Sequence, residues 1–510
     1  MLRLPLLSGP RVVVVNVPDD AVVLRPPSPG DPMADVAAAV RDALRFPLEG
    51  SSLEQLVPPS TARVTIVVEL PTLPIPGAPI DPRHAAIEGV SDELVRMGVP
   101  SQAQTLLVAA GLARRPGPGD MGLIAAPEFR RRFRGQVVVH DVEDPDLVEV
   151  GRLGSTPLRV NRALAETDAI VVVGAAETVL HGGPAALLAA GGREALRAGG
   201  AWSLLETAAS QGWQSALELE RALAARVPVM GVSLVLNHPR LMGTTIRGFP
   251  YDEETVAWVA RSSLRRAFGL LPSALRRRAI SSLRRELTAA AAFAGPPAVA
   301  HAEALLRSIA AREAVLDGQL DTVIVGIPPT TPYLPRERPN PLLAAHLGLA
   351  LALRLWRDAF PVADGGTAIL LHRFHRRYAH PTQQPYRTFF GSVTRYGRDP
   401  VDLLEAERAA AADPRAIRAY KEGRTCHPLL PFADWDACQP ALARLGSVLI
   451  AGCRDAVAAR ALGFVPTHGV GAALELARGR AGGDPRIGVI LSPPYFPIRV
   501  GSGSSGFTPG

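Results

Sequence analysis

The sequence predicts an α/β fold, with two α/β domains, mostly parallel sheets and a cleft between the domains. Short apolar, β-branched runs alternate with segments of helical spacing along most of the chain. These runs are continuously apolar, as in strands that helices cover on both faces of a parallel sheet. The chain has 510 residues, which exceeds the usual limit of a single hydrophobic core.

The predicted strands are these apolar runs, taken in chain order. They are VVVVN (12–16), VTIVVE (64–69), TLLVAAG (105–111), QVVVH (136–140), AIVVVG (169–174), VMGVSLVL (229–236), TVIVG (322–326), TAILL (367–371), VLIAG (448–452) and IGVIL (487–491). Between them, ADVAAAVRDALRF (34–46) repeats alanine and valine at three- and four-residue intervals, which predicts a helix that ends before Pro47.

A change of character between residues 260 and 315 predicts the domain boundary. The stretch 262–295 is rich in arginine and helical in pattern, shows no strand pattern, and ends in GPP (295–297). We expect it to join an N-terminal domain, 1–294, to a C-terminal domain, 295–498. The Gly- and Ser-rich end, 499–510, is predicted to be a flexible tail.

Composition narrows the functional classes. The three cysteines form no CxxC pair, which argues against a disulfide framework and a structural zinc site. Net charge is +7, but Lys421 is the only lysine, and the arginines are mostly scattered without aromatic residues or a known nucleic-acid motif. The apolar stretch 342–356 is interrupted by His346 and Arg354 and is too short to span a bilayer. We therefore expect a cytoplasmic protein that binds neither nucleic acid nor membrane.

A series of short motifs resembles the nickel-dependent lactate racemase family, in that family's order, from about residue 40 to about residue 495. In the first half they are DALRFPLEGSSLEQLVPP (42–59), a strand followed by LPTLPIP (70–76), LLVAAGLARRP (106–116), HD (140–141), GSTP (154–157) and VNR (160–162). In the second half they are GIPPTTPY (326–333), NPLLAA (340–345), GGTAILLH (365–372) and DPRAIRAYKEG (413–423).

The resemblance implies a racemase or epimerase of a 2-hydroxy acid that uses a nickel-pincer nucleotide. In that family the nucleotide stores a hydride while the substrate passes through a planar keto acid. Two histidines exchange the hydroxyl proton on opposite faces, since imidazole titrates near working pH. A lysine anchors the nucleotide, another histidine ligates the metal, and an Asp/Arg pair holds phosphate or carboxylate.

This chain departs from that pattern at most functional positions. The Asp and Arg of the family's first loop fall on Leu70 and Leu73, with Glu69 one position out of register. The first proton-transfer histidine falls on Ala113, although the following Arg114 is retained. The second matches His181.

The cofactor-anchoring positions also differ. The lysine position falls on Gly191 or Ala185, and Lys421 lies far along the chain from both. No histidine occurs between His181 and His238 to serve as the metal ligand. The divergent site therefore predicts no metal ligand, and the nucleotide is expected only by family resemblance.

The candidate site residues keep alternative interpretations. His181 is the candidate catalytic base, or a loop histidine bonded to backbone. The candidate cofactor-binding residues are Arg114, Ser155, Thr156, Gly182 and Gly183. For Arg114 the alternative is a surface arginine; for Ser155 and Thr156 it is a helix cap before Pro157.

Other histidines are weaker candidates. His140 and Asp141 suit either a supporting pair or a structural hydrogen bond. His372, His375 and His380 have spacing seen in metal sites, but neighbouring arginines would repel a cation. The glycine-rich stretch 179–192 matches neither a P-loop nor a dinucleotide-binding fingerprint, and no G-x-S-x-G elbow occurs.

Two functional hypotheses follow. The first is a 2-hydroxy-acid racemase or epimerase that uses the nickel-pincer nucleotide. The second is a family member without hydride chemistry that binds an organic acid or nucleotide in a regulatory or scaffold role. The expected ligand is a small 2-hydroxy acid or a related organic acid.

Overall fold

The computed structural model describes residues 1–57, 62–71, 73–75, 80–197, 200–243, 245–333, 338–376, 378 and 380–501. Parts of the 42–59 and 70–76 motifs and most of the predicted tail lie outside these ranges. The strands are β1 (Leu2–Ser8), β2 (Arg11–Val17), β3 (Val22–Leu24), β4 (Val64–Glu69), β5 (Gln104–Ala109), β6 (Gln136–Val139), β7 (Val148–Leu153), β8 (Thr156–Val160), β9 (Ala169–Ala175), β10 (Val229–Leu236), β11 (Arg240–Leu241), β12 (Arg285–Glu286), β13 (Ala289–Gly295), β14 (Ala314–Asp317), β15 (Leu320–Gly326), β16 (Trp356–Arg357), β17 (Val362–Leu371), β18 (Ser447–Ala451), β19 (Val465–Thr467), β20 (Ile487–Ile490) and β21 (Ile498–Gly501).

The α-helices lie between and around these strands. They are α1 (Val36–Arg45), α2 (Leu53–Leu56), α3 (Pro82–Arg96), α4 (Pro127–Arg132), α5 (Arg162–Ala165), α6 (Pro184–Ala189), α7 (Arg193–Arg197), α8 (Gln211–Ala224), α9 (Glu253–Arg261), α10 (Ser263–Leu270), α11 (Ser273–Ser282), α12 (Pro297–Arg312), α13 (Pro341–Ala345), α14 (Gln384–Tyr396), α15 (Leu404–Ala412), α16 (Pro414–Lys421), α17 (Leu430–Asp436), α18 (Gln439–Leu442), α19 (Ala456–Ala461) and α20 (Val470–Ala481).

Two six-stranded sheets form the centre of the α/β fold. The first has the order β13-β10-β9-β4-β5-β6 and is parallel except for β13. The second has the order β19-β18-β17-β15-β20-β3 and is parallel throughout. Every residue of β9 is buried, as expected for a strand that helices cover on both sides. The mostly parallel α/β fold predicted from the apolar runs is confirmed.

The first predicted strand has a different partner from the one expected. Residues 12–16 lie in β2, which pairs with β1 in an antiparallel hairpin outside both six-stranded sheets. Most of β2 is only half-buried. A short apolar run has the same pattern in a hairpin as in a parallel sheet, so the hairpin partner could not be inferred from it.

The prediction that residues 262–295 are helical and contain no strand is wrong in part. Helices α9 to α12 are present, but the alanine-rich residues 289–295 form β13, the antiparallel edge of the first sheet. Alanine favours helices, and pairing with β10 overrides that preference. The predicted domain bounds, 1–294 and 295–498, stay a prediction; residues 22–24 pair with the second sheet as β3.

Separate apolar clusters pack on the two faces of the first sheet, one against α1 and α3 and the other against α6 and α8. Cys426 and Cys438 are buried, and Cys453 is half-buried. Within the described ranges, no helix combines the length and apolar character needed to cross a membrane.

Gly231 in β10 provides a test of how closely α12 packs on the first sheet. A Cβ added at Gly231 would lie 2.5 Å from Pro297 Cα, at the start of α12. We expect Gly231→Ala to lower the free energy of unfolding by about 1–3 kcal/mol, because backbone must move to accept the methyl group. The measurement is the thermal unfolding midpoint.

Gly471→Ala in α20 is the matched control, since nothing lies within 4 Å of its added Cβ. Replacing a helical glycine by alanine should leave the midpoint unchanged or raise it. Equal midpoints for Gly231→Ala and the unmodified protein would contradict the close packing described for α12.

Candidate functional site

A cleft lies where the carboxyl ends of parallel strands from both sheets meet, the usual place for a ligand in an open α/β sheet. It contains two adjoining cavities, of about 570 Å³ and about 240 Å³. Both are lined by Leu70 and Pro71 after β4 and by Pro332 and Tyr333 after β15. The loops after two strands, one from each sheet, therefore form the shared wall.

A buried ion cluster lies in the wall of the larger cavity. Asp81 caps the start of α3 and accepts a hydrogen bond from the Arg83 backbone N–H. The Arg83 guanidinium contacts Asp81 at 2.6 Å and Glu177 at 3.0 Å. Burial raises the pKa of Asp81, but the charge and hydrogen bonds of Arg83 outweigh it and hold that pKa below its usual range. Arg83 therefore neutralises much of the negative charge of Asp81 and Glu177.

Three other basic groups in the larger cavity form no ion pair within the described part of the chain. Arg312, at the end of α12, is 4% exposed, and its guanidinium donates to the carbonyls of Ser308 and Ala176. The exposed Arg278 and the half-buried His84 line the same cavity, and His84 Nε2 has no hydrogen-bond partner. These groups leave positive charge available to an anion.

His181 lies in the smaller cavity, beside mostly apolar walls that include Ala113, Ala185 and Leu188. Its Nδ1 lies 2.7 Å from Thr178 Oγ1, and among the described residues its Nε2 has no hydrogen-bond partner. Burial, with smaller contributions from nearby basic groups, lowers its pKa to about 3. His181 is therefore a neutral imidazole.

The glycines after His181 form a turn held from both sides. Gly182 and Gly183 have φ angles of 87° and 52°, which glycine adopts without strain. The His301 ring of α12 lies against them, since a Cβ on Gly182 would be 2.7 Å from His301 Cε1. The Gly182 N–H donates to Glu69 Oε2 at 2.6 Å. In this arrangement a protein carboxylate occupies the N–H that an anionic ligand was predicted to bind, and ligand binding by Gly182 and Gly183 stays a prediction.

Residues of α14, of α17 and of the helix after α13 form a buried polar network behind Tyr333. The Tyr333 hydroxyl donates to Asp434 at 2.6 Å, and the Tyr386 hydroxyl donates to the other carboxylate oxygen at 2.8 Å. His346, where the helix after α13 widens into a π turn, lies 3.4 Å from the same carboxylate. The bonds that hold Tyr333 in place position the wall between the two cavities.

The other predicted cofactor-binding residues lie apart from this pair of cavities. Arg114 is paired with Asp120 at 2.5 Å and donates to the Gly423 carbonyl, and it lines neither cavity. Ser155 is exposed in the turn between β7 and β8, and Thr156 begins β8. The interpretation of these two residues as a helix cap is wrong, because the chain forms a hairpin there.

The other histidine candidates have local partners. His140 is fully buried; its Nε2 lies 2.8 Å from the Gly191 carbonyl and its Nδ1 lies 3.3 Å from Asn161. His140 therefore forms structural hydrogen bonds, and its side-chain partner is Asn161 rather than the expected Asp141. Within the described ranges, no three His, Cys, Asp or Glu side chains form a metal-binding group, including those around His372.

Sequence reasoning missed the charged groups of the larger cavity. Asp81 and Arg83 lie twelve and fourteen residues after Glu69, and Arg312 lies on a helix whose start was taken as the domain boundary. The Asp-Pro pair at 81–82 is a recognisable helix start, and it would have placed Arg83 in a first helical turn. No sequence signal brings Glu177 to Arg83.

The residues present do not fit a covalently held nickel-pincer nucleotide. Ala185, at one of the two positions matched to the family's anchoring lysine, is buried in the wall of the His181 cavity. The Lys421 side chain is exposed at the end of α16, and its carbonyl accepts a hydrogen bond from Arg115. No amine therefore lines either cavity.

Glu69 should make the stability of the site depend on pH. Burial raises its pKa to about 7, although the hydrogen bond from the Gly182 N–H acts to lower it. A carboxyl whose pKa is raised on folding contributes stability below its unfolded pKa and loses it as pH rises through 7. We expect Glu69→Gln, which keeps an acceptor for Gly182, to reduce the stability lost between pH 5 and 8 by roughly 1–2 kcal/mol.

Chemical unfolding at several pH values measures this effect. Glu475→Gln, at an exposed position of α20, is the control and should follow the unmodified protein. Glu220, whose pKa burial also raises to about 7, contributes equally to all three proteins. Parallel pH profiles for Glu69→Gln and the unmodified protein would show that Glu69 is already ionised near pH 5.

Comparisons with known proteins find similarity in the N-terminal part of the sequence and in the fold of the whole chain. Residues 9–183 match the family model of the lactate racemase N-terminal domain. The structure of the lactate racemase apoprotein from Thermoanaerobacterium thermosaccharolyticum is similar, with a TM-score of 0.60 and 15% identity, covering 98% of this chain and 100% of that one. A protein from Thermotoga maritima matches with a TM-score of 0.49 and 13% identity, covering 92% of this chain and 99% of that one. None of the curated proteins matches. Residues 9–183 are therefore similar to a lactate racemase N-terminal domain, and the chain as a whole has the fold of the lactate racemase apoprotein.

Proposed function

We propose that this chain is a lactate racemase-like protein that binds a small organic acid in the larger cavity and does not racemise it. The observation that carries this proposal is Arg312. This guanidinium is almost fully buried, lines the cavity and has no carboxylate within 4 Å among the described residues. Burial lowers the pKa of Arg312 and the charge of Glu177 acts to raise it, but Glu177 is itself ion-paired with Arg83. A buried charge without an ion pair of its own is costly, and a bound carboxylate would supply that pair.

The remaining charges support an acidic ligand. The arginines of the cavity are Arg83, Arg278 and Arg312, and its acidic side chains are Asp81 and Glu177. The lining is therefore net positive, with His84 as a further donor. A volume of about 570 Å³ lies within the usual range for small-molecule sites, of about 300–1,000 Å³.

A 2-hydroxy-acid racemase that transfers hydride to a nickel-pincer nucleotide is the second candidate. His181 favours it, because a neutral imidazole whose Nε2 has no hydrogen-bond partner among the described residues can accept a proton. Ala113 and Ala185 argue against it: one face of a substrate lacks a base, and the nucleotide lacks an amine anchor at that position. The non-racemising function is therefore consistent with more of the residues that line the two cavities.

The organic-acid proposal predicts that Arg312→Met weakens carboxylate binding about ten- to hundredfold, because it removes a charged hydrogen-bond donor. Isothermal titration with D-lactate, L-lactate and malonate measures the effect. Arg307→Met, on the exposed side of the same helix and paired with Glu303, is the control and should change nothing. Lactamide should bind more weakly than lactate. Equal binding of lactamide and lactate, or no carboxylate binding at all, would refute the proposal.

The lack of racemisation is tested separately. Protein produced together with the enzymes that make the nickel-pincer nucleotide should show an unmodified intact mass. A chiral assay should detect no interconversion of D- and L-lactate, since losing a general base commonly costs about two to four orders of magnitude in rate. A mass increment matching the nucleotide, with racemisation abolished by His181→Ala, would establish the second candidate.

A further inference from the structure

A third, strongly apolar cavity lies on the opposite side of α11 from the cleft and shares no lining residue with it. It has a volume of about 410 Å³, is partly open to solvent, and is bordered mainly by the β1–β2 hairpin and by helices α9 to α11. Leu6, Trp258, Phe268 and Ile280 are among the side chains that line it. Its size lies within the range of small-molecule sites. Neither proposed function uses it.

Two arginines line this cavity without a counter-ion. Arg285, in β12, is 7% exposed, and its Nε has no hydrogen-bond partner. Arg265, in α10, also has a buried, unpartnered Nε. Neither guanidinium forms an ion pair or a hydrogen bond with any residue in the described ranges. Burial lowers the pKa of Arg285 to about 10, so its side chain still carries a positive charge at neutral pH.

The surrounding sequence contains no acidic residue that would neutralise them. Residues 255–285 include no Asp or Glu. The same stretch contains Arg261, Arg265, Arg266, Arg276, Arg277, Arg278, Arg284 and Arg285. Glu286, the next residue, is paired with Arg247. The positive charge at the cavity is therefore available to an external anion.

We propose that this cavity binds a long-chain carboxylate. The alkyl chain lies among the apolar side chains of the hairpin and of α9 to α11, and the carboxylate pairs with Arg285 and Arg265. Only an amphiphile satisfies both parts of the site. An apolar ligand leaves the guanidiniums unpaired, and a short organic anion leaves the apolar walls exposed to water.

A membrane surface is the competing partner for this region. Leu264 and Leu270 of α10 are 69% and 88% exposed, and Arg265 and Arg266 lie between them in the same helix. The concave walls and the buried position of Arg285 favour a single molecule that enters the cavity over a flat lipid surface. Anionic vesicles therefore serve as the alternative arm of the test.

The experiment titrates the full chain with octanoate, decanoate and dodecanoate below their micelle concentrations, and with dodecanol and acetate. Trp258 fluorescence reports occupancy, because this indole lines the cavity, and Trp258→Phe removes the signal. The Kd should fall roughly tenfold for each two added methylenes. Dodecanol should bind at least tenfold more weakly than dodecanoate, and acetate should not bind.

Variants locate the carboxylate and the chain. Arg265→Met and Arg285→Met should each weaken dodecanoate binding by at least tenfold, while Arg266→Met, at the exposed neighbouring position, should not. Ala279→Phe fills the cavity and should abolish binding without removing a charge, which keeps the test valid if Arg285→Met does not fold.

Three results would overturn the proposal. Equal affinities for dodecanol and dodecanoate would remove the role of the arginines. An equal loss in Arg266→Met would show general surface charge rather than a site. Binding to phosphatidylglycerol vesicles that Leu270→Ser abolishes, without saturable binding of dodecanoate, would assign this face to a membrane.

Discussion

The close packing of the Gly182–Gly183 turn against the His301 ring of α12 positions the residues that line the cleft. Between β9 and α6 the backbone turns through two left-handed glycines, and the His301 ring occupies the space that their side chains would take. Because Gly231 likewise leaves room for Pro297, α12 packs directly on the first sheet. The eleven residues from His301 to Arg312 extend about 16 Å along that helix, which carries the Arg312 guanidinium to the larger cavity. A side chain added at the glycines that contact His301, or at Gly231, would shift α12 and would therefore displace the Arg312 guanidinium as well as the glycine turn.

The sequence predicted the sheets better than it predicted the site. Most apolar runs became strands of the two six-stranded sheets, because burial on both faces requires continuous apolar character. The edge strand β13 was missed because alanine carries no strand signal and its pairing with β10 is tertiary. The charged residues of the larger cavity were missed for a related reason. Glu177 follows β9 and Arg83 begins α3, so only the fold brings them together.

The buried arginines of this chain differ in what surrounds the guanidinium, and that difference separates structure from function. Arg83 is enclosed by two carboxylates, and Arg354 donates to the carbonyls of Trp202, Ala437 and Ala201. Such groups are satisfied by the protein. Arg312 has only carbonyl partners beside an open cavity, and Arg285 has none among the described residues. Because charge without a partner is unfavourable in a low-dielectric interior, the last two mark places where an anion would stabilise the folded chain.

The two cavities of the cleft offer different groups to a ligand. Positions where the family resemblance implies catalytic or anchoring groups hold Ala113 and Ala185 here, and both side chains form apolar wall around a neutral His181. An alanine leaves no buried polar group unsatisfied, so the smaller cavity is stable without a cofactor. It also supplies little charge to hold an acid. The net positive lining of the larger cavity offers an anionic ligand more charge than the smaller cavity does, and Tyr333 forms part of the wall that the two cavities share.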